Sequence, residues 1–461
     1  MLFSSIPFLY YFLPCVLIFY FLVPKRCKNL WLLVSSLFFY GWGGVDFLVL
    51  MVVMISVGYA AGLLLEVVKE ADRKKAGRWM FAVSILIFVV TLVYFKFAPV
   101  FPIGISFYTF QIMSYLADVY RGQVPAQRNF VNFAAYASMF PQLVAGPIVR
   151  YSDIARQLES RVHSLDDVAV GIRRFVFGLS KKVLIANTLG ELCDIFRTSG
   201  DQSVFFFWIY AVAFTLHIYF DFSGYSDMAV GLGKIFGFDF MENFNYPYIA
   251  TSITDFWRRW HISLSSWFRD YVYIPLGGNR VPKHRWLLNI FVVWSLTGLW
   301  HGAAWNFIAW ALWFAVLLVV EKLWILPFLE KLDEADDPIR LDVRVLRHVY
   351  VLLAVILSFV MFNAQSIGEA FSYIAAMFGA ADVPLTSVEA AYYFRSYLTV
   401  FAVAIIGATP IPKYAVRKMQ ETQWGARIAN IAEPVILVGL LLLITAYLVD
   451  GSFNPFLYFR F

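Results

Sequence analysis

The chain has 461 residues, of which 61% are hydrophobic and 15% charged, with a formal net charge of +6. Soluble domains carry about 25% charged and about 45–50% apolar residues, so this composition excludes a soluble globular protein and defines a polytopic membrane protein. In such a chain a modest positive charge reflects cytoplasmic loops rich in Lys and Arg, which argues against nucleic-acid binding.

A span takes roughly 17–25 mostly apolar residues. Residues 7–23 form the first candidate, and the stretch MLFSSIPFLYYFLPCVLIFYFLV lacks a basic leader and a small-residue cleavage site, so it is read as a retained span. Lys25, Arg26 and Lys28 place the next loop in the cytoplasm and the N-terminus outside. Residues 30–43 and 45–67 make an out-and-back pair around Gly41, Gly43 and Gly44. The basic segment Lys69 to Arg78 then falls inside again. Residues 79–95 go out and 102–119 return, with Arg121 and Arg128 marking the inner side.

From about 130 to 200 the apolar runs shorten, interrupted by Arg150, Asp153, Arg156, Arg173, Arg174, Lys181 and Lys182 among others. This pattern predicts amphipathic helices at the cytoplasmic face, with a dip into the membrane at Met139 to Val149. Broken backbone at membrane depth needs cover from protein or a water-filled cavity, and a funnel open to the cytoplasm satisfies that need. Residues 203–221 span and end in HIYFDFSGYSD, and 286–319 hold one long or two short helices. Further spans fall near 348–363, 396–410 and 433–449, while Lys413, Arg417, Lys418 and Arg427 place the loop at 411–430 inside. The expectation is an all-α polytopic protein of about 9–11 spans. It is read as one membrane domain over 1–461, with an extracytoplasmic tail at 450–461.

Cys15, Cys27 and Cys193 form no CxxC pair and no metal spacing, so neither a disulfide framework nor a metal site is expected. The densest chemistry lies between Asp255 and Asn306. His301 sits in the apolar run SLTGLWHGAAWN, and a histidine at membrane depth is costly unless it has a partner or a task. It either bonds between helices or serves as a general base, since an imidazole near its ordinary pKa of about 6.5 takes a proton at cellular pH. Gly298 and Gly302 would let a ligand approach the backbone, and Trp300 and Trp305 would wall the site. His261 stands among Asp255, Trp257, Arg258, Arg259, Trp260 and Arg269. That segment either anchors at the interface or lines a cytoplasmic entrance. In the second case Arg258, Arg259, Arg280 and Arg285, with Trp257, hold an anionic donor such as coenzyme A, because guanidinium grips phosphate in pairs of bonds.

Asp221 and Asp227 are expensive at membrane depth and should face a cavity or pair with a cation. GYSDM misses the GxSxG elbow and lacks its strand context, so no hydrolase serine is assigned. Asp118, Gln111 and Ser106 raise the same question more weakly, and either face a cavity or bond between helices. Tyr458, in NPFLYFRF, either belongs to an interfacial aromatic belt or carries an acyl ester at the outer mouth.

These segments resemble the membrane-bound O-acyltransferases, in the branch of the bacterial alginate O-acetyltransferases, with the D-alanyl-transferring teichoic acid proteins as cousins. The similarity rests on Pro102 to Gly122, Phe140 to Tyr151, Tyr219 to Gly233, Phe256 to Arg280 and Gly298 to Ala311 taken together. The resemblance implies that His301 is the family's membrane histidine and His261 its second, cytoplasmic-side one. It implies a ring of spans around a thin partition with a cytoplasmic funnel, and acetyl-CoA as acyl donor without a metal. It also implies an SGNH-type partner outside a bacterial cell membrane that completes O-acetylation of a polysaccharide. D-alanyl transfer stays open as a second activity, and so does a transporter with a proton relay through Asp221, Asp227 and His301. The similarity of FLYFRF to an acyl-carrying aromatic motif in the cousin system is what keeps Tyr458 as a catalytic candidate.

Overall fold

The computed structural model describes residues 1–98, 101–200, 202–328, 340–380 and 382–451, and among them there are helices and turns but no strand. Tyr458 lies outside the described residues. The chain forms two compact units. One contains Met1–Leu179, Tyr225–Glu242 and Leu448–Asp450, and the other Ser180–Gly224 and Asn243–Tyr447.

The first unit opens with α1 (Phe8–Leu22), α2 (Lys28–Gly41), α3 (Val45–Glu70), α4 (Lys74–Phe97) and α5 (Ile105–Arg121). At 17 residues α5 is near the lower bound for a span, and nearly all of it is buried. Packing explains this. Gly58 and Gly62 on α3 are four apart, and a Cβ there would stand 2.4 Å from Ile112 and 2.6 Å from Tyr115 of α5. Small residues at this spacing let two membrane helices touch along their backbones. Helix α6 (Leu165–Ser180) is strongly amphipathic, and Asp227 accepts from Arg174 on it at 2.9 and 3.0 Å. Gly171 and Gly231 pack backbone to backbone, each 2.6 Å from the other's carbonyl once a Cβ is added.

Helix α7 (Val204–Ile235) is the longest, at 32 residues. The second unit continues with two short helices, α8 (Ile253–Arg259) and α9 (Ile262–Phe268). Then come α10 (Lys283–His301), α11 (Trp305–Phe328), α12 (Arg340–Asn363), α13 (Val388–Gly407) and α14 (Gln423–Val449). The expected stretch 286–319 is therefore two helices, broken at Gly302. Seven described helices are long and apolar enough to cross a membrane by length and composition, with Phe8–Leu22 as a shorter apolar helix. Only 6% of the apolar window of α14 and 11% of that of α4 is buried inside the protein. Water would not tolerate so much contiguous apolar surface, whereas a bilayer requires it.

Both acidic residues on α7 are paired with cations. Asp221 meets Lys182 at 2.5 Å, and Lys182 also donates to Asn187 Oδ1 at 2.9 Å. Both partners are almost wholly buried, at 1% and 2% exposure. One turn earlier His217 donates from Nδ1 to the Ala186 carbonyl at 2.6 Å. Asp118, Gln111 and Ser106 are all buried on α5, and both amide atoms of Gln111 lack a hydrogen-bond partner among the described residues.

Candidate active site

The second unit gathers both candidate histidines. Helix α8 starts where Ser252 accepts from the Asp255 amide at 2.9 Å, a standard N-cap. A second acceptor reinforces that start. Glu321, fully buried, accepts from the amides of Ile253 (2.5 Å) and Thr254 (3.0 Å), from the Thr254 hydroxyl (2.8 Å) and from Tyr350. One carboxylate thus ties α8 to α11 and α12.

Where α8 hands over to α9, His261 takes φ 44°, a left-handed conformation that costs a non-glycine residue energy. The neighbouring segment holds it there, since Asn245 N donates to the Arg259 carbonyl and Ile262 N to the Asn243 carbonyl, each at 2.9 Å. Asn243 Oδ1 receives the Ser263 amide at 3.2 Å and the Ser263 hydroxyl at 2.9 Å, and it lies 3.1 Å from His261 Nδ1. The Ser263 amide is a donor, so the Asn243 atom facing it is the oxygen, and His261 Nδ1 carries the proton that it accepts. Nε2 then keeps its lone pair. It is buried and has no hydrogen-bond partner among the described residues. Burial pushes this imidazole down to about 3, so the ring is neutral at cellular pH and presents a bare acceptor. Phe222 packs edge-on against it at 4.7 Å, and Trp300 lies 5.9 Å away.

His301 is the last residue of α10 and half-buried. Its ring is walled by Trp300 at 4.5 Å, Trp310 at 5.0 Å and Phe362 at 5.2 Å. The walls are aromatic, and Trp300 stands between the two histidines. Two expectations are corrected. Gly298 and Gly302 do not make room for a ligand, because a Cβ on Gly298 would meet Ala311 at 2.9 Å and one on Gly302 would meet the Phe307 ring at 2.3 Å. They let α11 fold back against α10. Trp305 is 75% exposed and walls nothing, leaving that task to Trp300, Trp310 and Phe362.

The five candidate donor-binding residues do not gather at one place. Arg258 lines a cavity of about 410 Å³ with Thr254, Tyr273, Trp286, Trp294 and Lys322. Lys322 holds its ammonium 4.8 Å above the Trp286 ring. Arg259 instead bonds Asp255 at 2.9 Å and the Asn245 carbonyl at 3.3 Å, fixing the turn before His261. Arg280 and Arg285 are exposed. Trp257 packs against Trp294 (4.7 Å), Phe314 (4.9 Å) and Trp310 (5.9 Å), so it is a packing residue. Lys322 and Trp286 were not legible beforehand, since only the fold brings the end of one span against the start of another helix. From the cavity wall at Trp294 an aromatic contact leads to Trp310 at 6.4 Å, and Trp310 touches His301. Among the described residues no cluster of His, Cys, Asp or Glu has the makings of a metal site.

Fold and site together define an all-helical, multi-pass integral membrane protein with two histidines on an aromatic partition. The chain belongs to the membrane-bound O-acyltransferase family, whose model matches residues 34–328. Over the full length of both chains it is 39% identical to the probable alginate O-acetylase AlgI of Azotobacter vinelandii. A peptidoglycan O-acetyltransferase of Helicobacter pylori is 34% identical over 70% of each chain. The teichoic acid D-alanyltransferase of Bacillus subtilis is 30% identical over 47% of this chain and 58% of its own. The protein is a membrane O-acyltransferase.

Proposed function

We propose that this enzyme takes an acetyl group from acetyl-CoA on the cytoplasmic side of a bacterial cell membrane and passes it across for O-acetylation of an alginate-type polysaccharide. The observation that supports this reading best is the aromatic connection from the Arg258–Lys322 cavity through Trp294 and Trp310 to His301. Arg258 and Lys322 meet the donor's phosphates, and Trp286 offers a face for its adenine. His301 accepts the proton of the attacking hydroxyl, the oxygen bonds to the acyl carbon, and the thiolate of coenzyme A leaves. His261, neutral and with Nε2 unprotonated, positions a donor group on the substrate. Tyr458 remains the candidate for an acyl ester at the outer face, where an SGNH-type partner completes transfer to the polysaccharide. The name of the Azotobacter relative supports alginate as acceptor, and that of the Helicobacter relative keeps peptidoglycan as a test substrate.

Arg258→Ala and Lys322→Ala are each expected to raise the KM for labelled acetyl-CoA by about 10- to 100-fold, the worth of a charge-assisted hydrogen bond, with little change in kcat. An unchanged KM in both would remove the cavity from the donor's path. Asn243→Ala frees the His261 ring to turn and change tautomer, and a misplaced group of this kind costs up to about 10²-fold in kcat. Full activity in that variant, measured with the same label, would show that the orientation of His261 does not matter. The transporter reading loses support because Asp221 and Asp227 are bound to Lys182 and Arg174. A transporter would leave the thioester of the labelled donor intact.

A further inference from the structure

The first unit holds a cluster of basic side chains that acyl transfer does not use. Lys25 and Lys28 stand at the start of α2, and Arg161 and His163 lie in the turn that precedes α6. The ring of Tyr20 is a common floor for Lys28, Arg161 and His163. Lys28 Nζ sits 4.3 Å above it and 5.2 Å from the Phe21 ring. The Arg161 guanidinium is 5.8 Å away and the His163 ring 5.5 Å. Tyr20 donates its one proton to the Phe236 carbonyl at 2.7 Å. Its oxygen therefore accepts from Arg161 Nε at 2.9 Å and from His163 Nε2 at 2.8 Å. Arg161 Nη1 is spent on Asn29 and the Gln157 carbonyl, at 2.6 and 3.1 Å.

The leftover donors matter more. Arg161 Nη2 is buried with no hydrogen-bond partner among the described residues. Lys28 is 91% buried, being 9% exposed. Among the described residues neither its ammonium nor that of Lys25 has a hydrogen-bond or ion-pair partner. Burial, and then Arg161 and Lys25, hold the Lys28 ammonium below its ordinary range. Burial followed by Lys28 and Arg161 does the same to His163. Like charges held together, with no ion pair to Lys25, Lys28 or Arg161 among the described residues, are unfavourable, and the N-terminus of α2 adds to the positive potential. Only an anion relieves such a cluster.

The surroundings indicate where that anion comes from. On the α1 side the neighbours Phe19, Phe21 and Leu22 are 48%, 45% and 73% exposed. On the other side Val162 and Leu165, flanking His163, are 83% and 88% exposed. Large apolar side chains bared on both sides of a cation cluster match the level at which acyl chains meet headgroups. A soluble nucleotide has no use for them.

We infer that Lys25, Lys28, Arg161 and His163 form a binding site for the phosphate of an anionic membrane phospholipid, with its acyl chains against Phe21, Leu22, Val162 and Leu165. The site serves neither the donor nor the acceptor. The test uses the purified full-length chain and native mass spectrometry with phosphatidylglycerol and phosphatidylcholine as probes. Lys25→Met and Lys28→Met should each lower phosphatidylglycerol affinity about fivefold and leave phosphatidylcholine unchanged. Lys413→Met and Lys418→Met, on an exposed helix elsewhere, should change neither. Lys25 is exposed, so its variant separates binding from folding. Unaltered phosphatidylglycerol affinity in both variants would overturn the inference, as would an equal loss in the Lys413 and Lys418 controls. Release of the lipid by millimolar inorganic phosphate or coenzyme A would overturn it in favour of a soluble ligand.

Discussion

Acetyl transfer falls by about 10² to 10⁴-fold when His301 is replaced by glutamine, the usual worth of a positioned general base. Glutamine keeps the size and a hydrogen-bonding end, so the aromatic wall of Trp300, Trp310 and Phe362 stays filled. It has no basic nitrogen, so the attacking hydroxyl keeps its proton. The KM for acetyl-CoA should stay within about twofold, because the cavity with Arg258 and Lys322 is untouched. Acetyl content of the polysaccharide and single-turnover transfer of the labelled acetyl group both report the loss. Normal transfer in this variant would move the base to another residue.

Lys182→Met costs about 3–5 kcal/mol of stability, the penalty for leaving a buried charge without its partner. Methionine nearly matches the lysine stem, so packing changes little. What changes is that Asp221 loses its ammonium partner at a depth where water cannot replace it. The loss should reach the site as well. Phe222 follows Asp221 on α7 and forms the edge-on wall of His261, so slackening that turn frees the imidazole. The double variant Lys182→Met and Asp221→Leu should regain most of the stability, because an apolar pair of similar volume replaces an ion pair at little cost. Thermal unfolding in detergent measures both. A single variant as stable as the parent would mean that water reaches the pair.

Much of this was legible in one dimension. Apolar runs of span length separated by basic loops define a multi-pass helical protein, because a bilayer core admits little else. His301 and two aspartates in or beside such runs announce themselves by their cost. The expectation that Asp221 and Asp227 would face a cavity or pair with a cation follows from that same cost, and the structure pairs them with Lys182 and Arg174.

The partners of each group were decided only by folding. Arg258 and Arg259 are neighbours, yet one lines a cavity and the other braces a turn, because a helix turns about 100° per residue. Lys322 joins Arg258 from 64 positions away, a juxtaposition no local pattern encodes. Gly298 and Gly302 looked like room for a ligand but are room for a helix, since a missing Cβ does not say what will occupy the space. The proton on His261 is likewise set by Asn243, 18 residues earlier, whose oxygen is turned toward the ring by the Ser263 amide. Hydropathy is summed along the chain and survives reading in one dimension. Hydrogen bonds and ring contacts depend on direction in space, and only the packed helices supply that.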